Sequence, residues 1–368
     1  MKSRILPFSL ALFLLLPFFP LPVHAVSVSA QAAVLLECSR GETVFAVNET
    51  ARLPMASTTK IMTALVALEK GDLSRSYAIP EAAVGVEGSS IYLQAGEHLT
   101  LEELLYAVML ESANDAAAAV ACIVGGSIDG FAALMNEKAA ELGLTDTHFT
   151  NPHGLDDDAH FTTALDLARL AAYALENPAF AGIVSTCQKT IPLHDGEGTR
   201  VLVNHNRLLR QYDDVIGVKT GFTKHSGRCL VSAAEKDGVR LVAVTLNAPD
   251  DWPDHRAMLD YGFSQYESVT LAEAGEISVE LPCPGAPDGV LTAVNREALT
   301  LVLPVGTEIS RLTESCGILF APVEEGETVG VVRFFAGDTE LGALSLTAAH
   351  TVTLPERKMG LLERILDF

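Results

Sequence analysis

Apolar residues at Ile61, Ala64, Leu65 and Leu68 fall at the i, i+3, i+4, i+7 spacing of a helix with one buried face, and Gly71 supplies a stop. Upstream, Ala33-Val-Leu-Leu-Glu-Cys and Glu42-Thr-Val-Phe-Ala-Val flank Ser39-Arg40-Gly41 and predict a hairpin that leads into that helix. Thr100-Leu-Glu-Glu103 is a capping box before Leu104, Leu105 and Val108, which predicts a helix over 101–109. That pattern breaks at Glu111-Ser112-Ala113-Asn114. A second apolar helix is predicted from Asp115 to Val124, ended by Gly125-Gly126, too short an apolar run to cross a bilayer and suited to a domain core. Further helices are expected at Asp129 to Leu142, stopped by Gly143, and at Thr163 to Glu176, stopped by Pro178. Strand patterns return over 214–221, Arg228 to Ala234 and Val239 to Leu246, the last two joined by Lys236-Asp237-Gly238. Strands at both ends of a helical middle predict an α/β domain with helices packed on a sheet. From about Glu276 the runs shorten, at Ile277 to Leu281, Leu299 to Leu303, Val329 to Phe335 and Leu344 to Thr347, and predict a small all-β domain.

The 368 residues, 49% hydrophobic, suffice for one large domain and a smaller one. Met1 to Ala25 carries Lys2 and Arg4, then an apolar run through Leu10 to Phe19, then Val23-His24-Ala25, which predicts a cleavable export signal, with Ala30 as a second cleavage point. Pro7, Pro17 and Pro20 break its apolar core, which argues against a permanent span. The formal net charge is −22, or −24 once the two basic residues of the leader are gone, and it argues against a nucleic-acid partner. Six cysteines show no framework spacing, and no pair has the spacing of a zinc ribbon. The expected organisation is therefore a leader over 1–25, a catalytic domain over 26–268, a small β domain over 275–352 and a short amphipathic tail over 353–368.

Ser57 and Lys60 lie one turn apart where the first helix begins. A serine hydroxyl needs an adjacent base to be a useful nucleophile near neutral pH, and a lysine becomes that base only when burial or a neighbouring cation lowers its pKa. The plain alternative is that Ser57 caps the helix and Lys60 is solvated. Company decides between them. Ser112 with Asn114, and then Lys219-Thr220-Gly221, follow in chain order, and this trio of motifs is similar to that of class A β-lactamases and penicillin-binding proteins. Asn151-Pro-His-Gly-Leu155, then His160 and Thr162-Thr-Ala-Leu-Asp-Leu-Ala168, then Asn204-His-Asn-Arg-Leu-Leu209 before Gly217-Val-Lys-Thr-Gly-Phe-Thr223, extend the likeness. From about Ala33 to Phe263 the chain resembles the exported D-alanyl-D-alanine carboxypeptidases, the low-molecular-mass penicillin-binding proteins.

That resemblance implies an antiparallel sheet with helices packed on it, a penicillin-binding or β-lactamase-like catalytic domain, followed by the small β domain. It implies that Ser57 attacks the carbonyl between the two terminal D-alanines of a peptidoglycan stem peptide while neutral Lys60 takes its proton. Lys219 would lower the pKa of Lys60 and attract the terminal carboxylate, and Thr220 would hydrogen-bond that carboxylate. The backbone N–H groups of Ser57 and Phe222, the latter beside Gly221, would form the oxyanion hole. Ser112 would relay a proton to the departing D-alanine, and Asn114 would hold the substrate's amide or fix Lys60. A covalent acyl-enzyme follows, with β-lactam antibiotics as covalent ligands and with neither metal nor organic cofactor.

The sequence departs from the family where the middle residue of Asn204-His205-Asn206 can be an arginine near the carboxylate site. Arg207 or Arg210 could substitute for it, or Lys219 and Thr220 could act alone. His153 and His160 with Asp156 to Asp158 could suggest a metal site, which the family parallel turns into an ordered loop. A class A β-lactamase would add a glutamate that activates water, for which Glu176-Asn177-Pro178 is the one loose candidate. A DD-endopeptidase and a non-catalytic envelope protein remain as alternatives. Gly326-Glu-Thr-Val-Gly-Val-Val332 and Leu344-Ser-Leu-Thr-Ala348 resemble the small domain of these carboxypeptidases, to which no chemistry is assigned. Met359, Leu362, Ile365, Leu366 and Phe368 beside Arg357, Lys358 and Arg364 suggest a weak peripheral membrane contact.

Overall fold

A computed structural model describes residues 26–193 and 198–354. The expected leader and all but the first two residues of the expected tail lie outside the described residues. The predicted hairpin is present as β1 (Ala32–Glu37) and β2 (Glu42–Val47), and the helix after it as α1 (Lys60–Lys70). Two short strands follow, β3 (Ser76–Ala78) and β4 (His98–Thr100), then α2 (Leu101–Leu110), α3 (Asn114–Gly125), α4 (Ile128–Glu141) and α5 (Ala164–Leu175). The helix expected to stop before Pro178 does so, and Pro178 also opens a further one, α6 (Pro178–Ser185), where its missing N–H costs nothing and Asn177 Oδ1 accepts from the N–H groups of Ala179 and Phe180. The hairpin of β5 (Gln188–Pro192) and β6 (Thr199–Val203) precedes β7 (Val215–Thr223), β8 (Gly227–Lys236) and β9 (Val239–Leu246).

The central sheet is antiparallel throughout, in the order β2-β1-β9-β8-β7. Its inner strands show no apolar/polar alternation because both faces are covered, as expected for a sheet between two layers. In β1, Ala32, Val34 and Leu36 enter the large core formed with α1 to α6, while Ala33 and Leu35 enter a second core with Met258 and Leu259. Those two belong to α7 (Asp251–Gln265), which sequence reasoning missed. His255, Met258, Leu259 and Gly262 are its buried stripe at helical spacing, masked by Pro253 and by Gly262. The glycine has a packing reason: a Cβ there would stand 2.6 Å from Leu241 Cδ1 and 2.8 Å from Leu35 Cδ2. The domain is thus a three-layer sandwich whose sheet has β2 at one edge and β7 at the other.

Beyond α7 the chain forms a separate core with its own strands, β10 (Tyr266–Ala272), β11 (Ser278–Pro282), β12 (Val290–Asn295), β13 (Leu299–Pro304), β14 (Ser310–Ser315), β15 (Thr328–Ala336) and β16 (Thr339–Ala348). A five-stranded sheet runs β11-β12-β16-β15-β14, and β10 pairs with β13. The pattern found β11, β13, β15 and β16. It missed β14, whose six residues are all exposed at a sheet edge and carry no alternation to detect.

Candidate active site

Ser57 lies in a 3-10 turn, Ala56–Thr59, that runs straight into α1 at Lys60. No side chain caps either element, so the capping role that competed for Ser57 is not the one it plays. Lys60 is fully buried. Its Nζ lies 3.1 Å from Ser57 Oγ, 2.6 Å from Asn114 Oδ1 and 2.7 Å from the His153 carbonyl oxygen. Asn114 Nδ2 donates to the Glu87 carbonyl at 2.5 Å, which fixes the amide's orientation and points its oxygen at Lys60. Asn114, the first residue of α3, therefore spends both ends of its side chain inside the protein. The contact with Lys60, which one of the two roles expected for it requires, is in place.

The His153 carbonyl was invisible to sequence reasoning because a backbone acceptor leaves no residue signature. The loop that delivers it does leave one. Asn151 Oδ1 accepts from the N–H groups of His153 and Gly154, and Thr63 Oγ1 donates to the Pro152 carbonyl. Gly154 has φ +86°, and a Cβ there would sit 1.9 Å from Ala56 O, so only glycine lets the loop close on the turn that holds Ser57. His160 donates or accepts through both ring nitrogens, with Thr59 Oγ1 at 2.7 Å and Thr150 N–H at 3.0 Å, so its ring is a strut of this loop.

Lys219, Thr220, Gly221 and Phe222 lie on β7, which packs against the turn that holds Ser57. A Cβ on Gly221 would meet Ser57 N at 3.1 Å and Met55 O at 3.2 Å, so the glycine of this motif sets how near the strand approaches. Lys219 is 1% exposed, donates to the Thr220 carbonyl at 2.9 Å, and is pushed down to about 7 by burial. Burial, then the charge of Lys219, push Lys60 well below the usual lysine range, against the opposing pull of Asp115. Ser112 joins α2 to α3 with φ 58°, a strained left-handed conformation for serine, and it is 5% exposed.

A cleft of about 320 Å³ is lined by Ser57, Ser89, Ser112, His205, Thr220, Gly221, Phe222, Arg228, Asp251 and Trp252. That volume suits the end of a peptide rather than a long chain. The outer residues of Asn204-His205-Asn206 are structural: Asn204 Nδ2 donates to the Val184 and Thr186 carbonyls, and Asn206 Nδ2 to the Gly217 carbonyl. They present His205 to the cleft, where Nε2 stands 3.3 Å from Glu111 Oε2. Burial, then Lys219, lower the imidazole's pKa despite Glu111. Neither expected substitute reaches the cleft wall. Arg210 donates to the Asn204 carbonyl, and Arg207 stacks on Trp252 at 4.6 Å. Sequence reasoning missed Arg228, Asp251 and Trp252, which follow no motif. Glu176, the loose β-lactamase candidate, ends α5 and pairs with Arg240 at 2.8 Å, outside the cleft.

The chain has known relatives along most of its length. Residues 21–250 match the family profile of peptidase S11, D-alanyl-D-alanine carboxypeptidase. The D-alanyl-D-alanine carboxypeptidase DacF of Bacillus subtilis is 32% identical over 351 residues, covering 90% of this chain and 89% of that one. Among solved structures, penicillin-binding protein 5 from Haemophilus influenzae superposes with a TM-score of 0.66 at 27% identity, covering 90% of this chain and 99% of that one. A point mutant of the Streptomyces K15 DD-transpeptidase superposes with a TM-score of 0.62 at 31% identity, covering 65% of this chain and 99% of that one. With its serine and lysine one turn apart and the fold that carries them, this chain belongs to the peptidase S11 family of serine D-alanyl-D-alanine carboxypeptidases.

Proposed function

We propose that the protein removes the terminal D-alanine from peptidoglycan stem peptides through an acyl-enzyme on Ser57. The supporting observation is the surroundings of Lys60 Nζ. A neutral amine has two N–H donors and one lone pair, while Asn114 Oδ1 and the His153 carbonyl can only accept. They consume both donors, and the lone pair is left for the third neighbour, Ser57 Oγ–H. The hydroxyl then donates to the amine, which is what a general base requires. As Oγ bonds to the carbonyl carbon, its proton passes to Nζ, and the oxyanion meets the N–H groups of Ser57 and Phe222. When the C–N bond breaks, Ser112 gives its hydroxyl proton to the leaving amine and takes up the proton held on Nζ, which returns Lys60 to its neutral form. Water cleaves the ester, and serine is regenerated.

Lys219 and Thr220 bear on the substrate's carboxylate end. The same nucleophile would be acylated by β-lactams. The apolar N-terminal run supports export to the cell envelope, and the short C-terminal stretch, apolar with three basic and three acidic residues, supports at most a weak peripheral contact with a membrane. The reading is tested by incubating the mature protein with a stem pentapeptide ending in D-Ala-D-Ala. Stoichiometric free D-alanine and a tetrapeptide are expected. An intact pentapeptide under conditions where the protein is folded contradicts it.

A further inference from the structure

Arg228 is the one guanidinium lining the cleft among the described residues. In the β7–β8 ladder it stands opposite Phe222, one residue beyond the Lys219-Thr220-Gly221 segment. Its Nη2 lies 3.0 Å from Asp251 Oδ2, and the guanidinium lies over the Trp252 ring at 5.8 Å. Asp251 is itself held, since its Oδ1 accepts from the Trp252 N–H at 2.9 Å and its side chain is 3% exposed. The arginine remains 42% exposed. A buried carboxylate and an aromatic face thus fix one side of a planar fork of five donors whose other side stays open at the cleft wall.

The other cations near the cleft are less suited to binding an anion there. Arg207 and Arg210 point their charge at Trp252 and the Asn204 carbonyl. Lys219 is buried and already gives a hydrogen bond to a backbone carbonyl. His205 is held toward its neutral form by burial and by Lys219. We propose that Arg228, held by Asp251 and Trp252, reads a carboxylate of the substrate and so performs the task that an arginine at residue 205 would perform. This rests on the peptidase reading above. The carboxylate has two sources in a stem peptide, the C-terminus and an acidic third residue.

The test uses the full-length mature protein and three acetylated peptides. One ends in a free D-Ala-D-Ala carboxylate with a neutral third residue. The second is its C-terminal amide. The third is that amide with a free carboxylate on the third residue. Arg228→Gln should lower kcat/KM about 10²-fold, mainly through KM, on the peptide whose carboxylate it contacts, the loss expected for a charged hydrogen-bonded pair. Arg228→Lys should lose less, and the neutral amide should stay within about 3-fold of wild type. A selective loss on the first peptide assigns the C-terminus, and one on the third assigns the side chain. Because Arg228→Gln strands the buried Asp251, the double variant Arg228→Gln/Asp251→Asn provides the same comparison without an unpaired charge. Losses equal on all three peptides, or absent from all, overturn the proposal while the wild type remains active. A wild type that releases no D-alanine and takes up no benzylpenicillin overturns the peptidase reading and this inference with it.

Discussion

Lys60 Nζ lies nearer to Asn114 Oδ1, at 2.6 Å, than to Ser57 Oγ, at 3.1 Å. The amide therefore orients the base, and the base in turn reaches the nucleophile. Asn114→Ala should free Lys60 to rotate and slow acylation by about 10²-fold, in the range for losing a positioned proton acceptor. Asn114→Asp should act differently, because a carboxylate at this contact favours the ammonium form. Its acylation rate should recover at higher pH, whereas that of Asn114→Ala should not. Stopped-flow acylation between pH 5 and 10 separates the two.

Burial lowers the pKa of Lys219 to about 7. Acylation should rise with pH as Lys60 loses its proton and fall again as Lys219 loses its own, with the two limbs belonging to the coupled pair. Lys219→Arg should remove the alkaline limb, since a guanidinium stays charged, and keep part of the activity. Lys219→Gln should lose about 10² to 10³ in rate at every pH. An unchanged profile in Lys219→Arg would show that Lys219 does not titrate in the reaction.

Gly154→Ala tests the loop that brings the His153 carbonyl to Lys60. Its Cβ would meet Ala56 O at 1.9 Å with φ at +86°, so the loop or the nucleophile's turn must move. A loss of about 3 kcal/mol or more in stability is expected, together with impaired acylation. Denaturant midpoints close to wild type would place the loop elsewhere.

His255 is buried between Ser232 Oγ at 2.5 Å and Thr245 Oγ1 at 2.9 Å, and burial lowers it to about 3. The ordinary value of 6.5 applies when the chain is unfolded. Between these values the unfolded state binds more protons, so stability is complete above about 6.5 and declines as pH falls toward 3. His153 and His160, lowered to about 3 and about 4, act in the same direction. Each unit of pH in that window removes up to about 1.4 kcal/mol per group. His255→Gln should be less stable at pH 7.5 but show a shallower decline to pH 4.5 in urea unfolding. An equal slope would remove His255 from the account.

Legibility followed the kind of signal each part carries. Ser57, Lys60, Ser112, Asn114 and Lys219-Thr220-Gly221 could be singled out as candidates because they form short side-chain motifs that resemble those of a known family. The His153 carbonyl was not, because every residue has one. Arg228, Asp251 and Trp252 come together through the register of β8 against β7 and through the start of α7, and α7 itself was hidden by Pro253 and Gly262. Pro178 marks both the end of the α5 pattern and the start of α6, and only the end was read, since proline suits the first position of a helix as well as the residues after one. The central sheet was legible as apolar runs, but its order β2-β1-β9-β8-β7 is set by long-range pairing that no local pattern encodes.

The central claim is that Ser57 is a nucleophile activated by Lys60 in a cleft whose lining, among the described residues, includes no glutamate to hydrolyse a β-lactam adduct. Intact-mass spectrometry after brief exposure to benzylpenicillin tests it most directly. One added drug mass is expected, mapping to the peptide that holds Ser57, absent in Ser57→Ala and forming far more slowly in Lys60→Met, where the proton acceptor is gone. An adduct that survives Ser57→Ala, or rapid multiple turnover of penicillin by the wild type, would contradict the account.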